Sequence, residues 1–250
     1  MIILIAESKT MTDCSSPVAA AELAAHTPEF QLTAAELMHS WASLSVPELA
    51  AAIKISRPMA QAMREMILDF PDRSRGSQAI EAFTGVVFRA LDYGNMTDAE
   101  RTDLAARVRI VSSLYGLLRP DDIIKAYRLD FTTRLAPGGG AMAAFWRSRV
   151  TDALLSLVAE EGSGEVLDLM PADAAKCIDM ARLRKAATVC KVDFRTADPE
   201  GSIHTPHANL LKTLRGQLLR QIVTENIPSL TALRTLASDA TSGETITITV

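Results

Sequence analysis

Apolar residues fall into two rhythms along this chain. Short runs that are apolar throughout, or that alternate, predict strands at 2–6, 107–112, 165–170, 187–194 and 245–250. Longer stretches with apolar positions three and four residues apart predict helices at 17–25, 33–42, 47–54, 58–69, 77–91, 97–105, 141–160, 207–224 and 228–236. Helices outnumber strands, and several follow one another before the second strand. That order predicts an α+β fold, a mixed sheet surrounded by helices, more than a regular βαβ repeat. Gly-rich loops at 137–140 and 161–165 interrupt the pattern, but no repeat, low-complexity tract or long linker divides it. We expect one compact domain over 1–250.

Two helices meet within 46–70, VPELAAAIKISRPMAQAMREMILDF. Pro47 suits the opening of the first. Ser56 or Arg57 can cap the second, with Pro58 in its first turn, where a missing N–H costs nothing. The pair reads either as a helix-hairpin-helix or as an αα-hairpin that only packs. In the first case backbone N–H groups at the start of the second helix, beside Lys54, Ser56 and Arg57, suit a phosphate. The turn lacks glycine, which on this segment alone favours packing.

Residues 112–131, SSLYGLLRPDDIIKAYRLDF, mix bulky apolar side chains with charges. VRIVSSL predicts a buried strand, turned at Gly116 and Pro120. Arg119 and Arg128 are then offered at the mouth of a cleft, with Lys9 and Lys176 from neighbouring strand ends. In the helix at 207–224, Leu211, Leu214, Leu218 and Ile222 form the apolar stripe, while Lys212, Arg215 and Arg220 stand off it. Gly216 inside this helix costs about 1 kcal/mol relative to Ala. Close approach of another backbone or of a ligand is the usual reason for such a glycine.

Composition narrows the class. The chain has 250 residues, 48% hydrophobic and 22% charged, as in ordinary globular proteins. The opening MIILIA is too short for a signal peptide or a membrane helix, so no membrane partner is expected. Three widely spaced cysteines suit reduced thiols in a cytoplasm. The net charge of −4 is unevenly spread: +4 over 101–147 and +5 over 176–220, against −5 over 1–50. Two basic blocks raise the prospect of an anionic partner. His204 and His207 lie three apart across Pro206 with no third ligand nearby in sequence, so no metal site is expected. No dinucleotide, P-loop or nucleophile signature is present, no cofactor is implied, and no general base is evident.

These pieces resemble the peroxide-stress protein YaaA family. AESKT at 6–10 is similar to the family's SPAKT, with Lys9 and Thr10 in place and Glu7 where the family has proline. SSLYGLLRPDDIIKAYRLDF is similar to the central GLYG-LRP and PYRLEMG motifs, matching Tyr115, Gly116, Arg119, Pro120, Tyr127, Arg128 and Leu129. Ala79, Ile80, Phe83 and Gly85 match AI-x-x-F-x-GDVY, though Val86 and Phe88 replace its acid and tyrosine. Phe145 and Trp146 match an FW pair, and Lys212, Arg215, Gly216 and Arg220 match K-x-x-RG-x-x-x-R. The NLAS-x-EY-x-K pattern keeps Leu169 and Lys176.

The resemblance covers nearly the whole chain. It implies a monomeric cytoplasmic protein of the peroxide response that limits iron-dependent damage. It also implies sequence-tolerant DNA binding through a helix-hairpin-helix at about 46–70, with Lys54, Ser56 and Arg57, and through a basic cleft. The cleft set is Lys9, Arg119, Tyr127, Arg128, Lys176, Lys212, Arg215 and Arg220. Departures at Glu7, Val86, Ala126 and Ala174 bear on any reaction in that cleft more than on a phosphate groove. An enzyme acting on a nucleotide or other phosphorylated substrate is the alternative.

Overall fold

The computed structural model describes residues 1–197, 200, 202–236 and 245–249. Its elements run β1 (Ile2–Ala6), α1 (Ala20–Ala25), α2 (Gln31–Trp41), α3 (Val46–Ile53), α4 (Arg57–Asp69), β2 (Ser77–Gln78), α5 (Ala79–Ala82), α6 (Val86–Leu91), α7 (Asp98–Arg107), β3 (Val108–Ser112), β4 (Gly116–Leu118) and β5 (Ile123–Ile124). They continue with α8 (Met142–Glu161), β6 (Glu165–Asp168), α9 (Met180–Ala186), β7 (Thr188–Ala197), β8 (Ile203–His204), α10 (Ala208–Thr224), α11 (Leu230–Leu236) and β9 (Thr245–Thr249).

The main sheet is mixed, as an α+β fold requires. Its centre is parallel: β3, β1, β6, β7 and β9 lie side by side in that order. Antiparallel β4 folds back on β3, and β8 pairs with the end of β7. A separate antiparallel pair joins β2 to β5. All five residues of β1 are buried, which is why MIILIA reads as a continuous apolar run instead of an alternating one. Trp146 of α8 is fully buried and donates its indole N–H to Ser113 O at 2.9 Å, fixing α8 beneath the β3–β4 turn.

Several expected elements differ in extent. The helix expected at 77–91 is two helices, broken at Phe83–Gly85. Thr12 N–H bonds Ala82 O, and Thr84 N–H bonds Thr10 O, so the break pairs with the segment that follows β1 instead of continuing its own turns. The strand expected at 165–170 stops at Asp168, and the one at 187–194 runs on to Ala197. Arg107, expected in a strand, ends α7. Helix α9 and the short strand β4 were absent from the expected set.

Helices α3 and α4 pack on one another across residues 54–56. A capping box opens α3: Glu48 N–H bonds Ser45 Oγ, and the Glu48 carboxylate accepts Ser45 N–H at 2.7 Å. The pair buries Leu49 and Ile53 from α3 and Ala60, Met63 and Ile67 from α4.

Candidate functional site

β1 has parallel neighbours on both sides. The chain leaves β1, returns beside it as β3, and later enters β6 on the other flank before moving outward to β7. Connections therefore diverge at the carboxyl ends of β1 and β6, where an open parallel sheet leaves a crevice. A cleft of about 400 Å³ opens at this point. It is built from the end of β1 and the residues after it, from Leu169, Pro171 and Asp173 beyond β6, from α6, from α10, and from Asp130 and Phe131.

Two glycines allow these parts to meet. A Cβ on Gly216 would sit 2.2 Å from Val87 O, so α10 and α6 approach backbone to backbone. This is the close approach expected of a helical glycine. A Cβ on Gly85 would sit 2.2 Å from Ser8 Oγ, so α6 begins directly against the segment after β1.

Glu7 is the first residue beyond β1. Its Oε2 accepts the Ser113 N–H at 2.9 Å and a short hydrogen bond from the Tyr127 hydroxyl. Tyr127 also meets Ser112 Oγ at 2.7 Å, and Ser112 Oγ accepts the N–H groups of Leu114 and Tyr115. With Tyr127 donating to Glu7, the proton of Ser112 is directed to Tyr127, giving a chain of donors that ends on the carboxyl group. Among the described residues Glu7 Oε1 is shut off from solvent and makes no hydrogen bond, although the Ser113 side chain lies near enough to the carboxyl to lower its pKa. Burial raises the Glu7 carboxyl from 4.5 to about 7, although Ser113, Tyr127 and Ser112 pull the other way. Burial, with the Glu7 charge added, pushes the Tyr127 hydroxyl well above its ordinary range.

The sequence reading found no general base because Glu7 entered it only as a lost proline. An acid placed directly after a wholly apolar strand was the signal available. Asp168, at the end of β6, was also missed. It is buried, accepts Met170 N–H at 2.9 Å, and is raised by burial against the opposing pull of Lys191, Arg215 and Arg184.

The expected cleft residues do not all meet. Lys9, Lys212 and Arg215 line the cleft. Lys9 pairs with Asp130 at 3.0 Å, which burial pushes up but Thr132 and Lys9 bring down to about 2. Arg215 is half-buried; burial lowers its pKa, against the pull of Asp168 and Asp173. Arg128 and Tyr127 stand behind the lining. Arg128 donates to Lys9 O at 3.1 Å, and its own N–H meets Met63 Sδ of α4 at 3.3 Å, so it ties the segment after β1 to the α3–α4 pair. Lys176 lies exposed on the single turn Ala174–Cys177, beyond Asp173.

Arg119 and Arg220 stand elsewhere. Arg119 pairs with Asp121 at 3.4 Å and borders a second cavity of about 360 Å³ with Arg109 and Asp122. The turn at Pro120 carries it there, because Asp122 Oδ2 accepts the Arg119 N–H at 2.7 Å. Arg220 donates to Leu91 O and Asp92 O at 3.0 and 2.8 Å and pairs with Asp92, so it closes the carboxyl end of α6. Lys125, counted in the basic block, is buried against Asp69 at 2.5 Å.

At the α3–α4 turn, Lys54 adopts a left-handed conformation, φ 60° and ψ 48°, and ends α3. Ser56 takes the N-cap position of α4, but its hydroxyl accepts no first-turn N–H. Lys54, Ser56 and Arg57 are all exposed. His207, one of the paired histidines, caps α10 by accepting Leu210 N–H at 3.3 Å. Among the described residues no three His, Cys, Asp or Glu side chains gather as metal ligands, and no helix is long and apolar enough to cross a membrane.

Comparison with known proteins places this architecture. UPF0246 proteins align over nearly full length: 30% identity with one from Parabacteroides distasonis over 236 residues, covering 94% of this chain and 91% of that one. A Shewanella oneidensis member is 30% identical over 245 residues, and a Burkholderia mallei member 32% over 246, each covering 96% of this chain and 92% of the relative. Residues 1–241 match the family described as Peroxide stress protein YaaA. With a match of that extent, the chain belongs to the peroxide stress protein YaaA family.

Proposed function

We propose that this protein binds DNA without strong sequence preference, as a cytoplasmic monomer of one domain that limits iron-dependent damage during peroxide stress. The observation that carries the reading is the meeting of Lys9, Lys212 and Arg215, from segments 200 residues apart, around one crevice of the sheet. The second contact is the turn at Lys54, Ser56 and Arg57, acting as a helix-hairpin-helix. There the uncapped start of α4 and two cations suit one backbone phosphate.

The test is a titration with labelled duplex at several salt concentrations. Each cation held against a phosphate contributes about 0.9 to the slope of log K against log salt. Lys54→Ala with Arg57→Ala, and separately Lys212→Ala with Arg215→Ala, are each expected to lower the slope by about 1.8 and to weaken all sequences alike. Unchanged slopes in both folded variants would remove DNA from the function.

Glu7 supports the second reading, an enzyme acting on a nucleotide or other phosphorylated substrate. A half-buried acid with its carboxyl raised to about 7, at the end of a central parallel strand, has the properties of a general acid–base.

A further inference from the structure

We propose that the cleft holds a single nucleotide unit, its phosphate against Lys212 and Arg215 and the polar edge of its base against Glu7. The inference rests on the nucleic-acid reading above and names what enters the cleft. Three features carry it. The cavity, about 400 Å³, lies at the small end of the range for sites that enclose small ligands. Its lining is mixed: Lys212 and Arg215 of α10, apolar side chains such as Val86, Phe131 and Leu169, and Glu7 all border the same cavity. A duplex edge or a bare phosphate needs only the cations. A nucleotide needs all three, because it presents an anion, a flat apolar face and a rim of donors and acceptors.

Glu7 supplies the reading group. Its Oε2 is occupied by Ser113 N–H and Tyr127, while Oε1 makes no hydrogen bond among the described residues. A buried polar atom without a partner is costly, and a ligand that bonds it removes that cost. A protonated carboxyl group both donates and accepts, whereas a carboxylate only accepts. The form of Glu7 therefore decides which base edge fits.

The ionisable groups near Glu7 come from every wall: Tyr127 and Asp130, Cys177 beyond β6, Arg89 on α6, Lys212 and Arg215 on α10, with Lys9 and Asp173. Burial raises Tyr127 and Cys177 further from neutrality, and Asp130 stays near 2. Among the described residues no histidine lines the cleft. Glu7, at about 7, changes charge between pH 6 and 8.

The experiment measures binding of the four deoxynucleoside 5′-monophosphates, a short single-stranded oligonucleotide, and the same oligonucleotide with one central abasic site. Wild type and Glu7→Gln are compared at pH 6 and pH 8, with Lys212→Ala as the phosphate control. Gln keeps a neutral amide that can accept the Ser113 and Tyr127 donors, so the variant is expected to fold. Expected for wild type is a ranking of the four bases that changes between the two pH values. Glu7→Gln is expected to give one ranking at both, and Lys212→Ala to weaken all four alike. If the site takes its nucleotide from a strand, the intact oligonucleotide binds about tenfold tighter than the abasic one. If it takes a free nucleotide, the monophosphates bind and the oligonucleotides do not, which upholds the inference and removes DNA as the partner. Equal binding of intact and abasic strands, with no binding of monophosphates, overturns the inference and leaves DNA binding in place. An identical ranking in wild type and Glu7→Gln at both pH values also overturns it. Absence of binding by every one of these probes overturns the inference, while the duplex titration decides the DNA reading separately.

Discussion

Lys212 and Arg215 stand on a helix pressed against α6 with no room for a Cβ at Gly216. Lys54 and Arg57 stand on an exposed turn, three residues apart, with their helices buried beneath them. Both regions offer two cations, but they hold them differently. The cleft assembles its groups from β1, α6, the segment after β6, and α10, so its geometry is a product of packing. The turn assembles its groups from neighbours in sequence, so its geometry is local. Substitutions in the cleft should therefore move stability and function together, whereas at the turn the two can be moved separately. Each of the following measurements would break or sharpen that division.

The largest effect is expected at Glu7. Its carboxyl titrates near 4.5 unfolded and about 7 folded. Between those values the folded chain keeps a proton that the unfolded chain has lost. Stability therefore falls as pH rises from 4.5, and the fall is complete just above 7. The shift corresponds to about 3 kcal/mol lost between pH 4 and pH 8. Glu7→Gln has no proton to lose and should be free of this decline. Urea unfolding of both proteins from pH 4 to 8 checks it. Parallel curves across that range would show that the carboxyl does not sit buried as described.

A smaller loss is expected at Gly216. Ala there brings a Cβ to within 2.2 Å of Val87 O, and the two helices must part. Overpacking of this kind costs about 1–3 kcal/mol, against a gain of about 1 kcal/mol in helix propensity. The expected result is a net destabilisation with weakened ligand binding in the cleft. Gly94→Ala is the control, because a Cβ there meets nothing within 4 Å. Equal stability of the two variants would mean that α6 and α10 are free to separate, and the cleft would lose its fixed wall.

What could be read from the sequence follows the same division. Local features were legible: the buried first strand, the α3–α4 pair with its prolines, and the apolar stripe of α10 all depend on residues close in the chain. Gly216 was legible because a glycine in a strong helix has few explanations. Charge was less so. The basic block at 101–147 predicted a cationic surface, but Lys125 pairs with Asp69 and Arg147 with Asp179, both acids from outside the block. Linear charge does not show partners brought in by the fold. The break at Phe83–Gly85 was hidden for the same reason, since it depends on hydrogen bonds from Thr12 N–H and to Thr10 O. Glu7 was hidden by comparison with a motif: a residue that breaks a pattern is counted as a loss until its surroundings show what it gains.

The smallest effect is expected at Lys54, and it separates the two regions most cleanly. Its φ of 60° lies in the left-handed region, where a side chain crowds its own backbone and glycine does not. Lys54→Gly relieves that crowding at the end of α3, a position glycine commonly takes. Glycine also has more freedom to lose on folding, so the net gain should be modest, about 0.5–1 kcal/mol. The same change removes one exposed cation. If the turn holds a phosphate, the salt slope for duplex binding should fall by about 0.9 while the unfolding midpoint rises. Stability and binding would then move in opposite directions, whereas Gly216→Ala in the packed cleft is expected to lower both. Both quantities come from one protein preparation, by urea unfolding and by titration at several salt concentrations. A rise in stability with an unchanged slope would assign the α3–α4 turn to packing alone, and leave the cleft to carry the binding.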